Sequence, residues 1–295
     1  MTPQPPIFIV APARSGTTVL SHMIASRLEL ACSPETNVMG ILSRIQHMAP
    51  DMTFGQFQER QLEFLMHGKT RPYCMLIDST LAQTRIMEHP REFAEMLIHM
   101  DQYSDGLSVL EQTPRNGEHL CSLRWLFPEA VIIFLMRNPF DVIQSNRATP
   151  WGTRNTFILF SIWARQYVEL IRLFRTYGRN RTIVVRYSQL EKPGYREQLL
   201  QRLRKFGVAS RPTPVTIKAK NFDSNEWAAA HMSNSVSSFK SNETDKWTER
   251  HPWLRDLGDG MMVSALRFAR GRARPTWQVR LLKAAGNFSQ RVVRR

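Results

Sequence analysis

The sequence predicts an α/β protein of three layers (αβα), in which helices cover both faces of a central, mostly parallel β-sheet. Short apolar runs alternate along the chain with longer segments of helical periodicity, which is the pattern of repeated strand–helix–strand units. The run Val131–Met136 is apolar at every position, as expected of a central strand that is covered on both faces. In residues 7–20, IFIVAPARSGTTVL, a strand leads through a turn of small residues into a helix.

The individual elements follow from these patterns in chain order. Strands are expected at 7–11, 108–111, 130–136 and 182–187, with a further short strand at 28–32. Helices are expected over about 17–28, 38–48, 55–67, 90–103, 116–126, 139–148, 155–177 and 193–206. Residues 1–260 are predicted to form one domain, and residues 261–295 a basic C-terminal extension that is packed on it or peripheral to it.

Two segments depart from this regular pattern. Residues 210–250 are rich in Ser, Asn, Lys and Thr and have neither a helical nor a strand period, so a long functional or disordered loop is expected there. Residues 275–295 form a basic amphipathic pattern that either packs on the domain or binds a membrane surface or an acceptor. The apolar residues predicted to share one face of that helix are Trp277, Leu281, Leu282, Phe288 and Val292.

The formal net charge of +15 predicts an anionic partner. Nine Lys and Arg residues and no acid follow Asp259, so more than half of the excess lies at the C-terminal end. Composition leaves open whether the anion is a phosphate, a sulfate, an acidic glycan, a nucleic acid or an anionic lipid. The three scattered cysteines suit neither a disulfide framework nor a metal site, and the histidines form no metal-like cluster.

The hydropathy of the chain bears on its location. No stretch approaches the roughly 18–20 uninterrupted apolar residues of a membrane span. The N-terminus lacks the basic region and the long apolar run of a signal peptide. We therefore expect a cytoplasmic protein, and a position at the inner membrane surface through the basic C-terminus stays open.

Residues 7–20 match a Walker phosphate loop in part. In the register of G-x-x-x-x-G-K-[ST], Gly16 matches the second glycine and Thr18 the final hydroxyl, but Thr17 replaces the lysine. Backbone N–H groups around Gly16, at the start of a helix, still form an anion site, and Arg14 adds a fixed positive group beside it. The missing lysine disfavours ATP chemistry, and an ordinary strand–helix turn is the alternative interpretation.

A second basic site follows the strand at 130–136. Asn138 and Pro139 suit the N-cap and the first position of the next helix, and Ser145 lies two turns into it on the face toward the strand end. Arg137 and Ser145 can therefore hold one phosphate. A metal–triphosphate site would have an acid in place of Arg137. Two phosphate sites without metal ligands predict a nucleotide with phosphates on two parts of its ribose.

Together these motifs resemble the sulfotransferases that use 3′-phosphoadenosine 5′-phosphosulfate (PAPS). PARSGTT is similar to their 5′-phosphosulfate loop and RNPFDVIQS to their 3′-phosphate site. CSPETN and LEQTP stand between them, and VVRYSQL and DKW after them, in the order of the branch that includes bacterial carbohydrate and glycolipid enzymes and the tyrosylprotein enzymes. The resemblance spans about residues 7–247. It implies a P-loop-like α/β domain that uses PAPS as donor without a metal.

The resemblance also implies roles for single residues. The implied nucleotide-binding residues are Arg14, Ser15, Gly16, Thr17 and Thr18 at the 5′-phosphosulfate, Arg137 and Ser145 at the 3′-phosphate, Tyr187 beside the nucleotide, and Lys246 over a phosphate. Glu35 matches the catalytic base, and Arg14 would stabilise the transferring group. A carboxylate suits the role of catalytic base because an alcohol is a poor nucleophile until its proton is removed. Capping of the helix that begins near Asn37 is the alternative role for Glu35.

Gln112 stands where related enzymes often have a lysine that stabilises the transferring group; a glutamine can donate a hydrogen bond but carries no charge. Either Arg14 or a lysine elsewhere would then supply that charge. His119 lies outside the matching motif, so a packing or surface role is expected for it.

The implied reaction is transfer of a sulfuryl group from PAPS to a hydroxyl acceptor, foremost a carbohydrate or glycolipid. The wider set of acceptors is a glycan, a lipid-linked sugar or a small natural product, and no nucleic-acid partner is expected. Two alternatives stay open, a P-loop-like small-molecule kinase and a basic polyanion- or lipid-binding protein. Thr17 and Arg137 argue against the kinase, and the binding protein leaves the two ordered phosphate motifs unexplained.

Overall fold

The structure is a computed structural model. In the part of the chain that it describes, one parallel β-sheet forms the centre. The described residues are 5–28, 30–33, 35–66, 79–98, 109–149, 153–208, 252–271 and 274–293. The strands are β1 (Ile7–Val10), β2 (Ala31–Cys32), β3 (Val109–Glu111), β4 (Val131–Met136) and β5 (Thr182–Arg186). They lie in the order β2-β3-β1-β4-β5, and every neighbouring pair is parallel.

The helices lie on both sides of this sheet. They are α1 (Thr17–Leu28), α2 (Val38–Met48), α3 (Phe54–Met66), α4 (Ser79–Ala82), α5 (Pro90–Ile98), α6 (Leu120–Leu126), α7 (Pro139–Arg147), α8 (Thr156–Tyr177), α9 (Pro193–Lys205), α10 (Pro252–Ala269) and α11 (Trp277–Val293). Short 3₁₀ helices occupy Pro114–His119 and Tyr187–Gln189. The predicted three-layer α/β fold is confirmed, and the strands begin and end within about three residues of their predicted positions.

Alternate strand residues supply two separate cores. Ile9 and Ile133 point to the face that α1 and α9 cover, where they pack with residues such as Leu20 and Leu203. Phe8 and Phe134 point to the opposite face, and the Phe134 ring meets Tyr167 of α8 edge-on. Because side chains alternate along a strand, a strand buried on both sides must be apolar at every position, as β1 and β4 are.

The C-terminal helices pack against α8. Val279, Leu282 and Ala285 of α11 are buried, and a side chain at Gly286 would come within 3.2 Å of the Arg165 Cα of α8. Residues 279, 282 and 285 share one face of α11, and this face packs against α8. The boundary predicted between residues 260 and 261 falls inside α10.

The single apolar stripe predicted for α11 is wrong. Leu282 is fully buried, whereas Trp277 and Leu281 are 58% and 42% exposed. The reason is angular, since the buried face of α11 is centred on Leu282 and the residues one turn apart at 277 and 281 lie on the opposite side. The side chains of Phe288 and Val292 lie outside the described residues.

Arg124 of α6 fixes the amino ends of two strands. Its guanidinium donates to the carbonyl oxygens of Pro128 and Ala130 at 2.8 Å, and to Arg181 O at 3.2 Å. It also donates to the Thr182 hydroxyl at 3.3 Å. Burial lowers the pKa of Arg124. This network lies at the edge of the sheet where β4 and β5 begin, opposite the edge that carries the phosphate motifs.

Several predictions fall outside the described residues, among them the polar segment 210–250 with Lys246. No described helix combines the length and the apolar character that crossing a membrane would require.

Candidate active site

The turn between β1 and α1 has the backbone of an anion-binding loop. Arg14 and Gly16 have positive φ values of 69° and 94°, which turn the chain sharply out of the strand. The Ser15 N–H closes the turn on Pro12 O at 3.1 Å, and α1 begins with Leu20 N–H bonded to Gly16 O at 3.1 Å. The first N–H groups of α1 therefore have no carbonyl partner within the helix and lie at its positive end.

The side chains of this loop differ in exposure. Arg14 is exposed and Thr18 is half-buried, whereas Thr17 is 4% exposed. Ser15 is fully buried, and its hydroxyl has no hydrogen-bond partner among the residues that the structure describes. In this conformation the Ser15 side chain is closed off from solvent. Arg14 and Thr18 are the loop side chains best placed for contact with a ligand.

The second phosphate motif lies directly against this loop. Asn138 caps α7 by accepting from Phe140 N at 3.1 Å, and Pro139 holds the first helical position, both as predicted. Arg14 Nε donates to Ser145 Oγ at 3.3 Å, and Arg137 Nη1 donates to Arg14 O at 3.1 Å. The structure thus brings together residues that are more than 120 positions apart in the chain.

Asn146 is a contact that the sequence interpretation missed. Its Nδ2 donates to Ala13 O at 3.2 Å and to Val142 O at 2.9 Å, so α7 holds the phosphate loop through its backbone. Trp163 of α8 supports the other side of the motif by donating from Nε1 to Arg137 O at 3.1 Å. No sequence pattern identifies either residue, because each donates a hydrogen bond to a backbone carbonyl that comes near it only in the folded chain.

Tyr187 adds the end of β5 to the site. It begins the 3₁₀ helix directly after the strand, and the guanidinium carbon of Arg137 lies 4.3 Å from the centre of its ring. A Cβ built on Gly16 would come within 2.5 Å of the same ring. The Tyr187 ring therefore fills the space beside Gly16 and offers Arg137 a cation–π contact.

Glu35 lies on the other half of the sheet edge. It is exposed in the loop between β2 and α2. The N-cap position of α2 is Asn37, which has a left-handed φ of 52° and makes no side-chain cap hydrogen bond. The first N–H groups of α2 donate to Thr113, Thr36 and Asn116, and capping of α2 by Glu35 stays an alternative role.

Gln112 is tied to the phosphate-loop helix through Ser21. The buried Ser21 hydroxyl lies 2.8 Å from Thr18 O, and it contacts Gln112 Oε1 at 3.1 Å. Because a hydroxyl has one proton, these two acceptors share it or the Gln112 amide turns to donate. Either way the Gln112 side chain is held next to the first turn of α1.

His119 has the surroundings of a packing residue. Burial, with the nearby Arg165 and Arg115, lowers its pKa to about 4. The imidazole is therefore neutral at neutral pH. Within the described residues no group of three or more His, Cys, Asp or Glu side chains is arranged to hold a metal ion.

A comparison with protein families identifies the family of this chain. The model of a family described as the sulfotransferase family matches residues 5–204, which run from β1 to α9 and include both phosphate motifs. The chain belongs to the sulfotransferase family. It is thus an enzyme of the class that transfers sulfuryl groups.

One individual relative of this sulfotransferase matches over part of its length. Nodulation protein NoeE of Sinorhizobium fredii (strain NBRC 101917 / NGR234) is 30% identical over 149 residues, which are 49% of this chain and 31% of NoeE. The matched part of the chain therefore spans about a third of the length of that relative.

Two solved structures are also similar. The sulfotransferase domain from the Synechococcus PCC 7002 olefin synthase is 20% identical with a TM-score of 0.49, covering 97% of this chain and 95% of that domain. Sulfotransferase STF9 from Mycobacterium avium is 14% identical with a TM-score of 0.46, covering 82% of this chain and 70% of STF9.

We predict that Gly16→Ala weakens the binding of 3′,5′-ADP at least about tenfold. A positive φ costs an alanine about 1–2 kcal/mol, and the new methyl group would also displace the Tyr187 ring. Isothermal titration calorimetry measures the affinity. Gly194→Ala on α9 is the matched control, because a Cβ there meets nothing within 4 Å. Equal affinities of the two variants would contradict the role given to the Gly16 turn.

Proposed function

We propose that this sulfotransferase moves the sulfuryl group of PAPS to a hydroxyl group of a carbohydrate or glycolipid. The observation that carries the proposal is the direct contact between the two phosphate motifs, from Arg14 Nε to Ser145 Oγ and from Arg137 Nη1 to Arg14 O. A ligand with a phosphosulfate and a separate phosphate can engage the β1–α1 turn and the start of α7 at once.

The donor would lie across the ends of β1, β4 and β5. The proposed 5′-phosphosulfate contacts are the first N–H groups of α1, the Arg14 guanidinium and Thr18. Arg137 and Ser145 are proposed for the 3′-phosphate, with Tyr187 beside the nucleotide. Lys246, which lies outside the described residues, remains the predicted cover for a phosphate. No step of this arrangement calls for a metal ion, because cationic side chains and helix-end N–H groups compensate the phosphate charge.

The proposed reaction is an in-line displacement at sulfur. The acceptor oxygen forms a bond to sulfur while the bond between sulfur and the bridging phosphate oxygen breaks, which leaves 3′,5′-ADP. Glu35 takes the proton of the acceptor hydroxyl, and its exposure allows an acceptor to reach it. Arg14 and the loop N–H groups stabilise the charge that develops on the leaving oxygens.

Gln112 offers a partial replacement for the lysine that many relatives have. Its contact with Ser21 holds it at the first turn of α1, where an amide N–H can donate to a sulfonyl oxygen. A neutral donor stabilises an anion less than a cation does. Arg14 is therefore proposed to carry most of the positive charge at the transferring group.

The acceptor class rests on motif order. CSPETN, LEQTP and VVRYSQL follow one another as in the branch with bacterial carbohydrate and glycolipid enzymes, which supports a glycan, a lipid-linked sugar or a small natural product. Incubation with PAPS and a panel of such acceptors, followed by mass spectrometry for the gain of one sulfuryl group, identifies the acceptor. Transfer to none of them would contradict the proposed acceptor class.

Calorimetry with Arg137→Ala tests the donor. We predict that the wild-type enzyme binds 3′,5′-ADP in the presence of EDTA. The variant should lose about tenfold or more in affinity for 3′,5′-ADP but little for 5′-AMP, because the charge-assisted contacts to the 3′-phosphate disappear. Equal losses for both nucleotides would contradict the 3′-phosphate assignment. Binding of ATP that depends on Mg²⁺ would favour a kinase instead.

A second prediction concerns the base. Glu35→Gln should lower the turnover number by roughly 10²–10⁴-fold, because the amide cannot accept the acceptor proton. Affinity for 3′,5′-ADP should stay nearly unchanged, since the donor lies on the other half of the sheet edge. Glu59→Gln, on helix α3, is the control substitution. Full activity of Glu35→Gln would exclude Glu35 as the base.

We also propose that α11 brings the enzyme to anionic membrane surfaces. Trp277 and Leu281 lie one turn apart on the side of the helix away from α8, and both are exposed. Arg274 and Arg280 are exposed next to them. An exposed pair of large apolar side chains beside basic residues suits the headgroup region of an anionic bilayer.

The double variant Trp277→Ser/Leu281→Ser tests this contact. We predict that the wild-type enzyme sediments with vesicles that contain phosphatidylglycerol and less with pure phosphatidylcholine vesicles. The variant should bind the anionic vesicles about tenfold more weakly, because two apolar side chains no longer enter the bilayer surface. Met48→Ser/Trp125→Ser removes two other exposed apolar side chains and should bind like wild type. Equal binding of both double variants would contradict the proposal.

A further inference from the structure

A buried carboxylate lies at the end of β3, beside Gln112. Glu111 is the last residue of the strand and is 1% exposed. Its Oε1 accepts from the Thr36 N–H at 3.3 Å and the Thr36 hydroxyl at 3.0 Å, and also from the Thr113 hydroxyl. Its Oε2 accepts from Thr113 N at 3.1 Å and from Asn116 Nδ2 at 2.7 Å. Both oxygens are thus engaged by donors from two loops.

The same network holds the start of α2, residue by residue. Thr36 N–H donates to Glu111, and Asn37 N–H donates to the Thr113 hydroxyl at 2.9 Å. Val38 N–H then donates to the Thr36 hydroxyl at 3.3 Å, and Met39 N–H to Asn116 Oδ1 at 3.2 Å. Four consecutive backbone N–H groups are therefore satisfied by this network.

These bonds explain why α2 needs no cap from the side chain of Asn37, its N-cap residue. A helix usually satisfies its first N–H groups with the side chain of its own N-cap residue, but Asn37 makes no such bond. The hydroxyl of Thr113 and the amide of Asn116 replace it, and Glu111 orients both. The start of α2, and with it the segment that begins at Glu35, is therefore held by bonds to the end of β3 and to the residues that follow it.

The free-energy cost of burying the Glu111 carboxylate indicates that this group does more than fill space. Burial raises the pKa of Glu111, and the hydrogen bonds from Thr113 and Thr36 act in the opposite direction. A buried ionisable group is expensive unless donors surround it, and an apolar residue would fill the same space without that cost. Removing the carboxylate would leave several buried N–H and O–H donors unsatisfied.

The neighbouring residue links this network to the donor site. Successive strand residues point to opposite faces, so Glu111 reaches the α2 start while Gln112 reaches Ser21 of α1. The last residue of β3 and the one that follows it thus connect the Glu35 loop with the helix that begins at the phosphate loop. A shift of this strand end would alter the distance between those two loops.

We propose that Glu111 is a positioning residue for the sulfuryl transfer, acting by holding the Glu35 loop at a fixed place relative to the phosphate loop. This inference rests on the proposed function, in which Glu35 is the base. Proton transfer requires the base to lie within hydrogen-bond reach of the acceptor hydroxyl, and a displacement of about 1 Å can cost about 10²-fold in rate.

The test separates turnover from donor binding. Glu111→Gln should lower the turnover number about 10–100-fold and change the dissociation constant of 3′,5′-ADP less than about twofold, because the donor contacts lie on β1, β4 and β5. Arg124→Met is the matched stability control, since it removes another buried hydrogen-bond hub at the opposite sheet edge. It should lower the unfolding temperature yet leave the turnover number of the folded enzyme near wild type. Equal losses of turnover in both variants would overturn the positioning role.

A second pair of variants covers the case in which Glu111→Gln does not fold. Thr113→Val keeps the side-chain shape but removes the bonds to Glu111 and to Asn37 N–H, and it should lower turnover severalfold at unchanged 3′,5′-ADP affinity. Thr113→Ser restores the hydroxyl and should restore turnover. If Thr113→Ser and Thr113→Val have the same turnover number, the network does not position the base.

A double-mutant cycle distinguishes this inference from the proposed function. If Glu111 acts through Glu35, Glu111→Gln should cost little once Glu35→Gln is present, because residues that act as a unit are strongly non-additive. Additive losses would overturn the inference and leave Glu35 as the base. Full turnover of Glu35→Gln alone would instead overturn the proposed base itself.

Discussion

The parallel arrangement of the strands is the constraint on which the site depends. Every strand pair of the described sheet is parallel, so the carboxyl ends of β1 to β5 share one edge. The groups proposed for the reaction lie at or shortly after those ends. Hydrophobic burial on both faces keeps this edge in place, and the Arg124 network secures β4 and β5 at the other edge.

Within that edge, Arg14 and Arg137 are linked to each other and to Ser145 and Tyr187. The Arg137 guanidinium donates to the carbonyl of Arg14 and lies over the ring of Tyr187, while Arg14 donates to a hydroxyl. Two guanidinium groups and the positive end of α1 therefore lie at one edge of the sheet, an arrangement that favours the binding of an anion with two charged groups.

The sequence predicted most where local signals were strong. The strands could be placed because uniformly apolar runs have few other uses, and the Asn138–Pro139 start of α7 follows from capping chemistry. Helix α10 was missed because Gly258 and Gly260 lower its helix propensity. The structure accounts for Gly258, since a Cβ there would come within 2.6 Å of the Asn138 amide.

The tertiary contacts of the site were harder to predict. The network of Glu111 joins residues up to 77 positions apart. The sequence alone does not show whether an acid at the end of a strand is buried. The split of the apolar stripe on α11 was equally hidden, because which face α8 would cover depends on the packed structure.

The strand order β2-β3-β1-β4-β5 places the proposed donor site and the proposed base on different halves of the sheet. The proposed donor contacts lie at the ends of β1, β4 and β5, whereas Glu35 lies in the loop that follows β2, next to β3. Gln112, held by Ser21, is a covalent neighbour of Glu111 and thus the narrow junction between the halves. In the proposed mechanism, substitutions around Glu35 would therefore change the acceptor side of the site during evolution without altering the proposed donor contacts, provided that this junction is kept.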